Sequence, residues 1–262
     1  MRKIRVLHVL SSRTYNGAEN VVCQIHTMLH GTDDNVELIY CSLDGPVRSH
    51  IEENGMTFIP LPKISRKELA RVIRKVKPDI VHAHDMRAGF IAALACGRIP
   101  LISHIHNNNF DSRGVSLKAV LYLYAALKAK HIFWVSQSSF NGYCFHNLLK
   151  NKSEILFNVI DTDELLRKAE QDTNEYHYDA IYLGRLTYQK NPQRLIRILN
   201  KVVQKMPDFT AAILGDGEDA EEVKAFIAHN GIENQICCLG FFDNPYKILQ
   251  SAKFMIMTSR WE

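Results

Sequence analysis

Short β-type runs and helical patterns alternate along the whole chain, and this alternation limits the fold more than any single motif does. The first run, RVLHVL (5–10), precedes the helical pattern AENVVCQIHTMLH (18–30), and the same succession continues as far as HIFWVS (131–136). Strands that alternate with helices in this way are typical of a parallel sheet with helices on both faces. The sequence therefore predicts an α/β fold built as a doubly wound parallel sheet.

A second α/β series begins after a polar stretch. Residues 167–178 (RKAEQDTNEYHY) lack a strong apolar face, and the series that starts at DAIYLG (179–184) ends on FMIMTS (254–259). We therefore predict a first domain over 1–166, a linker over 167–178 that could include a short helix, and a second domain over 179–262. Because a strand of a parallel sheet needs a crossover helix to cover it, the final strand indicates a truncated second domain. An edge strand that ends the fold is the alternative.

Charge and cysteine content argue against several classes of protein. The net charge of +4 over 262 residues is smaller than the dense basic footprint of nucleic-acid binding, so no nucleic-acid partner is expected. Six cysteines occur without C-x-x-C spacing, which favours free thiols in a reduced, cytoplasmic protein. No run approaches the roughly 20 apolar residues that a transmembrane helix needs.

Polar residues that directly follow strands are the candidate site residues, because ligands of open α/β sheets bind at the carboxyl ends of the strands. After the first strand, Asn16 and Gly17 precede a helix. Free N–H groups at a helix start suit an anion, and glycine lets the backbone approach a ligand closely. A plain strand–turn–helix connection that needs glycine for its geometry explains the same residues equally well.

Two H-x-H pairs lie on neighbouring predicted strands, HAH (82–84) and HIH (104–106). Alternate residues of a strand share a face, so the two histidines of each pair point the same way. Together the pairs could hold a metal ion, as in a metal-dependent hydrolase. We favour the alternative in which one histidine of each pair is buried and hydrogen-bonded while the other reaches a cleft, because no carboxylate-rich set accompanies them beyond Asp85.

The segment YLGRLTYQKNPQRL (182–195) is the richest candidate in the second half. Arg185 follows a strand and Lys190 precedes a helix; a planar guanidinium and a point charge together suit a diphosphate. Farther on, GDGEDA fits the dinucleotide pattern G-x-G-x-x-A, but its acidic residues would repel a pyrophosphate. Gly215 and Gly217 are therefore predicted to form a tight turn beside a nucleotide.

Two further segments carry clustered charges. Asp161 and Asp163 form a D-x-D that could hold a divalent metal, although their place before a helix favours capping. The helix predicted over 66–77 is strongly basic outside its apolar stripe. A solvated helix face is the ordinary explanation, and attraction to an anionic membrane is the functional hypothesis.

Taken in chain order, short segments resemble the family-4 retaining glycosyltransferases, which have the GT-B architecture of two facing Rossmann-like domains. The resemblance spans the whole chain, and its strongest element is YLGRLTYQKN. The other matching segments are NGAENVV, KPDIVHAHD, PLISHIHN, LFNVID, ILGDGED, CLGF and MTSRWE. Each segment is modest by itself, but their shared order is specific.

The resemblance implies transfer of a sugar from a nucleotide-diphospho-sugar to a glycan or lipid-linked acceptor, with retention at the anomeric carbon, in bacterial polysaccharide synthesis. Arg185 and Lys190 would hold the diphosphate with no metal and no other cofactor. His106 would contact the donor sugar, and Glu262, the first glutamate of the family's E-x7-E motif, would bind its hydroxyls. Asn16 and Gly17 would contact phosphate or the acceptor. Gly215, Gly217 and the backbone at Phe241 would border the nucleotide.

The chain departs from the family pattern at several positions. Asn16 stands where the family has glycine, Val159 and Ile160 stand where it has glycine and valine, and the second glutamate of E-x7-E would follow Glu262. We therefore expect a transferase whose 262-residue form is impaired in donor binding or inactive. A GT-B sugar-nucleotide epimerase and a non-catalytic nucleotide-binding pseudo-transferase are the alternatives. A cytoplasmic location is expected, with contact at the inner membrane face through helix 66–77.

Overall fold

The computed structural model describes residues 2–30, 35–107 and 110–261. Contacts within the chain divide it into two compact units, Met1–Val159 and Ile160–Glu262. Each unit has its own parallel sheet and its own apolar core. The predicted succession of two α/β domains is therefore confirmed.

The first unit alternates strands with helices. Its strands are β1 (Ile4–Val9), β2 (Val36–Leu43), β3 (Thr57–Leu61), β4 (Ile80–Ala83), β5 (Leu101–Ile105), β6 (His131–Trp134) and β7 (Ser153–Ile155). Its helices are α1 (Gly17–His30), α2 (Val47–Glu53), α3 (Arg66–Val76), α4 (Met86–Ala95), α5 (Leu117–Lys128) and α6 (Gln137–Asn141), with 3-10 turns at Phe110–Ser112 and His146–Lys152. The strands form one parallel sheet in the order β3-β2-β1-β4-β5-β6-β7.

This strand order is that of a Rossmann-like sheet. The chain reverses its direction of travel across the sheet between β1 and β4, which are hydrogen-bonded neighbours. Loops on either side of such a switch point diverge and leave a crevice at the carboxyl ends of the two strands. The residues that follow β1 and β4 therefore lie at the place where this fold binds ligands.

The helices begin where the sequence supplies caps. The Ser65 hydroxyl accepts a hydrogen bond from the Glu68 amide and starts α3, and Ser116 caps α5 in the same way through the Ala119 amide. Helix α3 then buries the predicted stripe, which consists of Leu69, Val72, Ile73 and Val76. Its basic residues remain on the opposite, solvated side.

The second unit repeats the arrangement with fewer strands. Its elements are α7 (Thr162–Gln171), β8 (Ala180–Leu183), α8 (Pro192–Lys205), β9 (Ala211–Leu214), α9 (Ala220–His229), β10 (Ile236–Gly240), α10 (Tyr246–Ser251) and β11 (Phe254–Met255). The described strands form a parallel sheet in the order β10-β9-β8-β11. The switch point therefore lies between β8 and β11, and the loops after these strands flank it.

The boundary between the units lies earlier than the predicted linker over 167–178. Helix α7 belongs to the second unit, where it packs on α10 and buries Ala169. The Asn244 side-chain amide donates to the Lys168 carbonyl at 2.6 Å, which ties the two helices together. The helix predicted after Asp161 is therefore confirmed, but it extends into the predicted linker because its one buried position, Ala169, gives only a weak apolar stripe.

The final strand is shorter and more exposed than its apolar sequence indicated. Strand β11 pairs with β8 through only Phe254 and Met255, and both side chains are about half exposed. It is the edge strand of the sheet in the described part of the chain. The polar segment that follows β11 contacts the loop between β8 and α8 and contributes to the candidate site.

Candidate active site

Asp85 joins the loop after β1 to the start of α4. One of its carboxylate oxygens accepts hydrogen bonds from the Ser11 amide and hydroxyl, at 3.0 and 2.6 Å, and the other accepts from the Ala88 amide at 2.6 Å. The carboxylate thus caps α4 and holds the neighbouring loop at the same time. This role could have been predicted, because an aspartate directly before a helical pattern is a capping signal.

The start of α1 is organised by Glu19. Its buried carboxylate accepts a hydrogen bond from the Asn16 amide at 3.0 Å, and burial raises the pKa of Glu19. The Asn16 side-chain amide donates back to the Thr14 hydroxyl at 2.8 Å, so this side chain is held within its own loop. The N-x-x-E spacing is a variant of the capping box, and this is the signal by which Glu19 could have been found.

Gly17 follows Asn16 at the first position of α1. Its φ angle is not in the left-handed region, and a Cβ atom added there would meet nothing within 4 Å. The fold therefore does not require glycine at this position. Open space over a helix start is what close approach of a ligand needs, which favours the ligand-binding interpretation over the purely structural one.

Histidines from three adjacent strands form one cluster at this edge of the sheet, which we call the histidine cluster: His8, His82, His84, His104 and His106. The predicted orientation within each pair is confirmed, since the two rings of each H-x-H pair have centroids 4.1 Å apart. The register of β1 against β4 adds His8 directly beside His82. His8 was missed because a single histidine within an apolar strand gives no signal until the strand order is known.

Hydrogen bonds join three members of the cluster into a chain. His8 Nδ1 lies 2.8 Å from His84 Nε2, and His84 Nδ1 lies 3.0 Å from His106 Nε2. Burial lowers the pKa of every member, to about 3 for His8 and His104 and to about 4 for His106. The rings are therefore neutral, and because a neutral imidazole carries one N–H, both hydrogen bonds run in the same direction.

The burial of the cluster differs in part from the prediction. In the second pair His104 is buried and His106 is partly exposed, as expected, but in the first pair His82 and His84 are both buried. Neither His104 nitrogen has a hydrogen-bond partner among the described residues. Two overlapping sets of three, His8–His82–His84 and His84–His104–His106, bring nitrogen atoms within 4.8 Å of one another. Neutral imidazoles in this arrangement are the ligands that transition metals prefer, so the metal hypothesis stays open.

The histidine cluster makes stability dependent on pH. In the unfolded chain these groups have a pKa of 6.5, and in the folded protein the pKa is lowered to about 3 to 4, so the unfolded state binds more protons between these values. Stability is complete above pH 6.5 and falls as the pH falls, by about 1.4 kcal/mol per pH unit for each histidine that stays neutral. We expect the thermal unfolding midpoint of the first unit to drop steeply between pH 7 and pH 4.

The variant His104→Phe is expected to reduce this acid sensitivity and to leave stability at neutral pH equal or higher, because it removes two unpaired buried nitrogens. The exposed His177 supplies a matched control, and His177→Phe should leave the pH profile unchanged. Parallel profiles for wild type and His104→Phe would show that His104 is not among the groups responsible.

In the second unit, Arg185 and Lys190 lie on the loop between β8 and α8, which we call the basic loop (residues 184–191). Arg185 is exposed two residues after β8, and its guanidinium has no ion-pair partner in the described part of the chain. Lys190 is partly buried in a turn closed by its amide to the Thr187 carbonyl at 2.9 Å. Both residues therefore follow the strand that borders the switch point.

The segment after β11 holds the basic loop in place. The Thr258 hydroxyl donates to the carbonyls of Lys190 and Asn191, at 3.0 and 3.2 Å. The Arg260 amide donates to the Gln189 carbonyl at 2.8 Å, and its guanidinium lies 4.3 Å from the centre of the Tyr188 ring. The backbone that carries Lys190 is thus restrained from the opposite side of the switch point.

Arg260 also contacts Asn191, the residue at the end of the basic loop. Its guanidinium donates to the Asn191 side-chain oxygen at 3.2 Å. Asn191 adopts a left-handed conformation, with φ of 55°, and α8 begins at Pro192 directly after it, as predicted. Asparagine tolerates this conformation better than most residues do. Thr258 and Arg260 were missed as positioning residues, although polar residues directly after a strand at a switch point are a usable signal.

Gly215 and Gly217 have a structural role that the sequence did not predict in full. Their φ angles are 141° and 156°, and a Cβ atom on either would overlap backbone of the basic loop, at the Gly184 and Leu186 carbonyls respectively. The Leu186 amide also donates to the Asp216 carbonyl at 2.9 Å. The glycines therefore allow the loop after β9 to lie directly against the loop that carries Arg185.

The remaining predicted residues have mixed outcomes. Phe241 follows β10 and is exposed, beside Gly240, whose carbonyl accepts a hydrogen bond from the Gly215 amide at 2.7 Å. Asp161 accepts from the Glu164 amide at 3.0 Å, so its capping role is confirmed. Glu262 lies outside the described residues.

Family models match both halves of the chain. The model described as Glycosyltransferase Family 4 matches residues 15–164, which is more than half of the chain. The chain belongs to this family. The model described as Glycosyl transferases group 1 matches residues 163–262, so the two matches together cover both units. The resemblance inferred from short segments is confirmed.

Relatives in the family extend beyond this chain. An uncharacterised glycosyltransferase of Methanocaldococcus jannaschii is 28% identical over 74% of the chain, and the chain spans 53% of that relative. An Escherichia coli UDP-Gal:α-D-GlcNAc-diphosphoundecaprenol α-1,3-galactosyltransferase is 22% identical over 99% of the chain, which spans 74% of it. A Campylobacter jejuni diphospho-undecaprenol 4-α-N-acetylgalactosaminyltransferase is 27% identical over 94% of the chain, which spans 72% of it.

Solved structures of glycosyltransferases share the fold. Anabaena HepE in complex with UDP and glucose aligns with a TM-score of 0.78 at 20% identity, over 98% of this chain and 74% of that one. The lipopolysaccharide outer core galactosyltransferase WaaB aligns with a TM-score of 0.70 at 15% identity, with the same coverage. The fold class is therefore GT-B, with two Rossmann-like units, as the sequence predicted.

Proposed function

We propose that the protein transfers a sugar from a nucleotide-diphospho-sugar to a glycan or lipid-linked acceptor, with retention at the anomeric carbon and without a metal ion. The observation that carries the proposal is the basic loop. It presents Arg185 and Lys190 beside the β8–β11 switch point, and Thr258 and Arg260 restrain its backbone. Membership of Glycosyltransferase Family 4 supports the same chemistry.

The chemistry needs positive charge at the diphosphate. As the bond between the anomeric carbon and the phosphate oxygen breaks, negative charge grows on the departing nucleoside diphosphate. A guanidinium and an ammonium held by a restrained loop stabilise that charge without reorganising during the reaction. The proposed roles are therefore diphosphate binding and leaving-group stabilisation for Arg185 and Lys190, with no divalent metal.

Residues of the first unit are proposed for sugar and acceptor contacts. His106 ends the hydrogen-bonded histidine chain and is its partly exposed member, and its buried Nδ1 has no hydrogen-bond partner among the described residues, so this nitrogen is the atom proposed to bond a sugar hydroxyl. Gly17 offers open space at a helix start, which suits phosphate or acceptor. Asn16 borders this space. In the second unit, Phe241 is proposed to border the nucleotide, and Glu262 is proposed for the donor hydroxyls.

The acceptor class is proposed from the relatives. The names of the Escherichia coli and Campylobacter jejuni relatives specify diphosphoundecaprenol-linked acceptors, and the former specifies UDP-Gal as donor. We propose a lipid-linked acceptor of this chemical class and a place in bacterial polysaccharide synthesis. The protein would then work at the cytoplasmic face of the inner membrane as a peripheral protein.

A donor and product assay tests the proposal. The protein is incubated with UDP-, GDP-, ADP- and dTDP-sugars and a diphospholipid-linked acceptor, with and without a metal chelator. We expect one donor class to be consumed, chelator-resistant transfer, and a product whose anomeric proton coupling matches that of the donor.

Other outcomes would replace the proposal. Isomerised sugar nucleotide without transfer would identify an epimerase, and nucleotide binding without turnover would identify a pseudo-transferase. Loss of transfer on chelation, restored by zinc, would make a metal essential, and the histidine cluster would then be the first place to test.

A further inference from the structure

Helix α5 is apolar on two opposite sides. Its inward residues are buried in the core of the first unit, where the Tyr122 hydroxyl is hydrogen-bonded to the Ser103 hydroxyl at 2.9 Å. The inward set is Ala119, Tyr122, Ala125 and Ala126. The three alanines let the helix lie close against the sheet and α4, and together with the buried Tyr122 they account for its attachment to the fold.

The outward side is equally apolar. It consists of residues spaced by three or four positions, which form a single stripe along the helix. Their exposed fractions run from 37% to 76%. We call this stripe the outer α5 face, and its residues are Leu117, Val120, Leu121, Tyr124 and Leu127. A helix that is apolar all round is normally enclosed, so this exposed stripe requires a partner.

The charges around the outer α5 face are basic. Helix α5 contains no acidic residue and carries exposed Lys118 and Lys128, and exposed Lys130 follows it. Lys152 also reaches the carboxyl end of the helix and donates to the carbonyls of Leu127 and Ala129, at 2.7 and 2.9 Å. An acidic residue also lies at this rim, because the Asp111 carboxylate forms an ion pair with the Lys118 ammonium at 3.4 Å.

We infer that the outer α5 face binds the surface of a bilayer that contains anionic phospholipid. An apolar stripe with a basic rim and a tyrosine is the pattern of a helix that lies in the membrane interface. The apolar side chains enter the headgroup boundary, the Tyr124 hydroxyl stays at the polar level, and the lysines attract anionic headgroups. At twelve residues the helix lies on a bilayer and does not span it.

This inference replaces the basic helix as the main membrane contact. In α3 the large apolar residues are all buried in the core, so the helix offers charge but no large side chain that can insert. Its attraction to a membrane is therefore electrostatic only and is screened by salt. The inference does not depend on sugar transfer, and its test contains no sugar nucleotide.

Sedimentation with lipid vesicles tests the inference. We expect the protein to bind vesicles made from equal parts of phosphatidylcholine and phosphatidylglycerol, and to bind phosphatidylcholine vesicles weakly. The double variant Leu117→Glu/Leu121→Glu should lower the partition coefficient by roughly tenfold or more, because it removes apolar contact and adds repulsion. The single variant Leu117→Gln, at the exposed first turn, should give a smaller loss in the same direction.

Matched controls separate this surface from others. Met206→Glu changes an exposed apolar residue of the second unit, and Arg74→Glu/Lys75→Glu reverses charge on α3; each should retain at least half of the binding. Circular dichroism and the unfolding midpoint establish that the α5 variants are folded.

Two results would overturn the inference. The first is unchanged vesicle binding by the folded α5 variants. The second is a concentration-dependent dimer that the α5 variants convert to monomer while vesicle binding is absent in wild type, since a second copy would then cover the face.

Discussion

Arg185→Ala and Lys190→Ala are each expected to lower the turnover of sugar transfer by roughly a hundredfold or more, as for the loss of one transition-state charge contact. The charge on the leaving diphosphate is greatest when the glycosidic bond is breaking, so the loss should fall mainly on kcat and less on the dissociation constant of the donor. Steady-state kinetics measure kcat, and calorimetric titration of the intact donor without acceptor measures its dissociation constant.

The Arg185→Lys variant refines this test. It keeps the charge but loses the planar fork, so an intermediate rate indicates bidentate contact with the diphosphate. Lys201→Ala is the matched control, because Lys201 is an exposed basic residue of α8 outside the basic loop, and it should act like wild type. Near-normal rates for Arg185→Ala and Lys190→Ala would remove both residues from the site.

Gly215→Ala is expected to destabilise the second unit by about 3 kcal/mol or more, and Gly217→Ala by a similar amount. The added Cβ at Gly215 would overlap the Gly184 carbonyl, in a backbone conformation that L side chains rarely adopt. The basic loop must then move away from the loop after β9. We expect a lower unfolding midpoint and, in the fraction that stays folded, weaker nucleotide binding.

Gly17→Ala is the control for the glycine variants. The Cβ added at Gly17 meets nothing, so stability should change by less than about 0.5 kcal/mol. If Gly17 borders bound phosphate or acceptor, transfer falls although stability does not. Wild-type stability for Gly215→Ala combined with lost nucleotide binding would contradict the packing explanation and favour direct ligand contact at Gly215.

Most of the secondary structure was accessible from sequence because each element carries its own local signal. Ser65 and Ser116 are N-cap residues that mark helix starts, and the apolar stripe of α3 has the spacing of a buried helix face. Helix α7 has a weaker signal, because only Ala169 of its residues is buried, and its extent was therefore not predicted. The structure divides at Val159 and Ile160, ahead of the first-domain end predicted at residue 166.

Only part of the candidate site could be predicted from the sequence. Arg185 and Lys190 lie within one continuous segment, so their spacing is visible in the sequence. Arg260 contacts Asn191 from a position that is 69 residues away along the chain, and no local pattern records such a contact. The histidine cluster likewise needs the pairing of β1 with β4 and of β4 with β5 before His8 joins the two pairs.

The sequence by itself determined the two α/β series, the family and the basic pair Arg185–Lys190, because each depends on residue types at short spacing. The tertiary structure decided what those residues contact. Parallel pairing of β8 with β11 brings Thr258 into contact with the basic loop. Packing of the core determines which side of α5 is buried. An apolar pattern indicates that a side chain favours burial, but which side chains are buried depends on the packing of the folded chain.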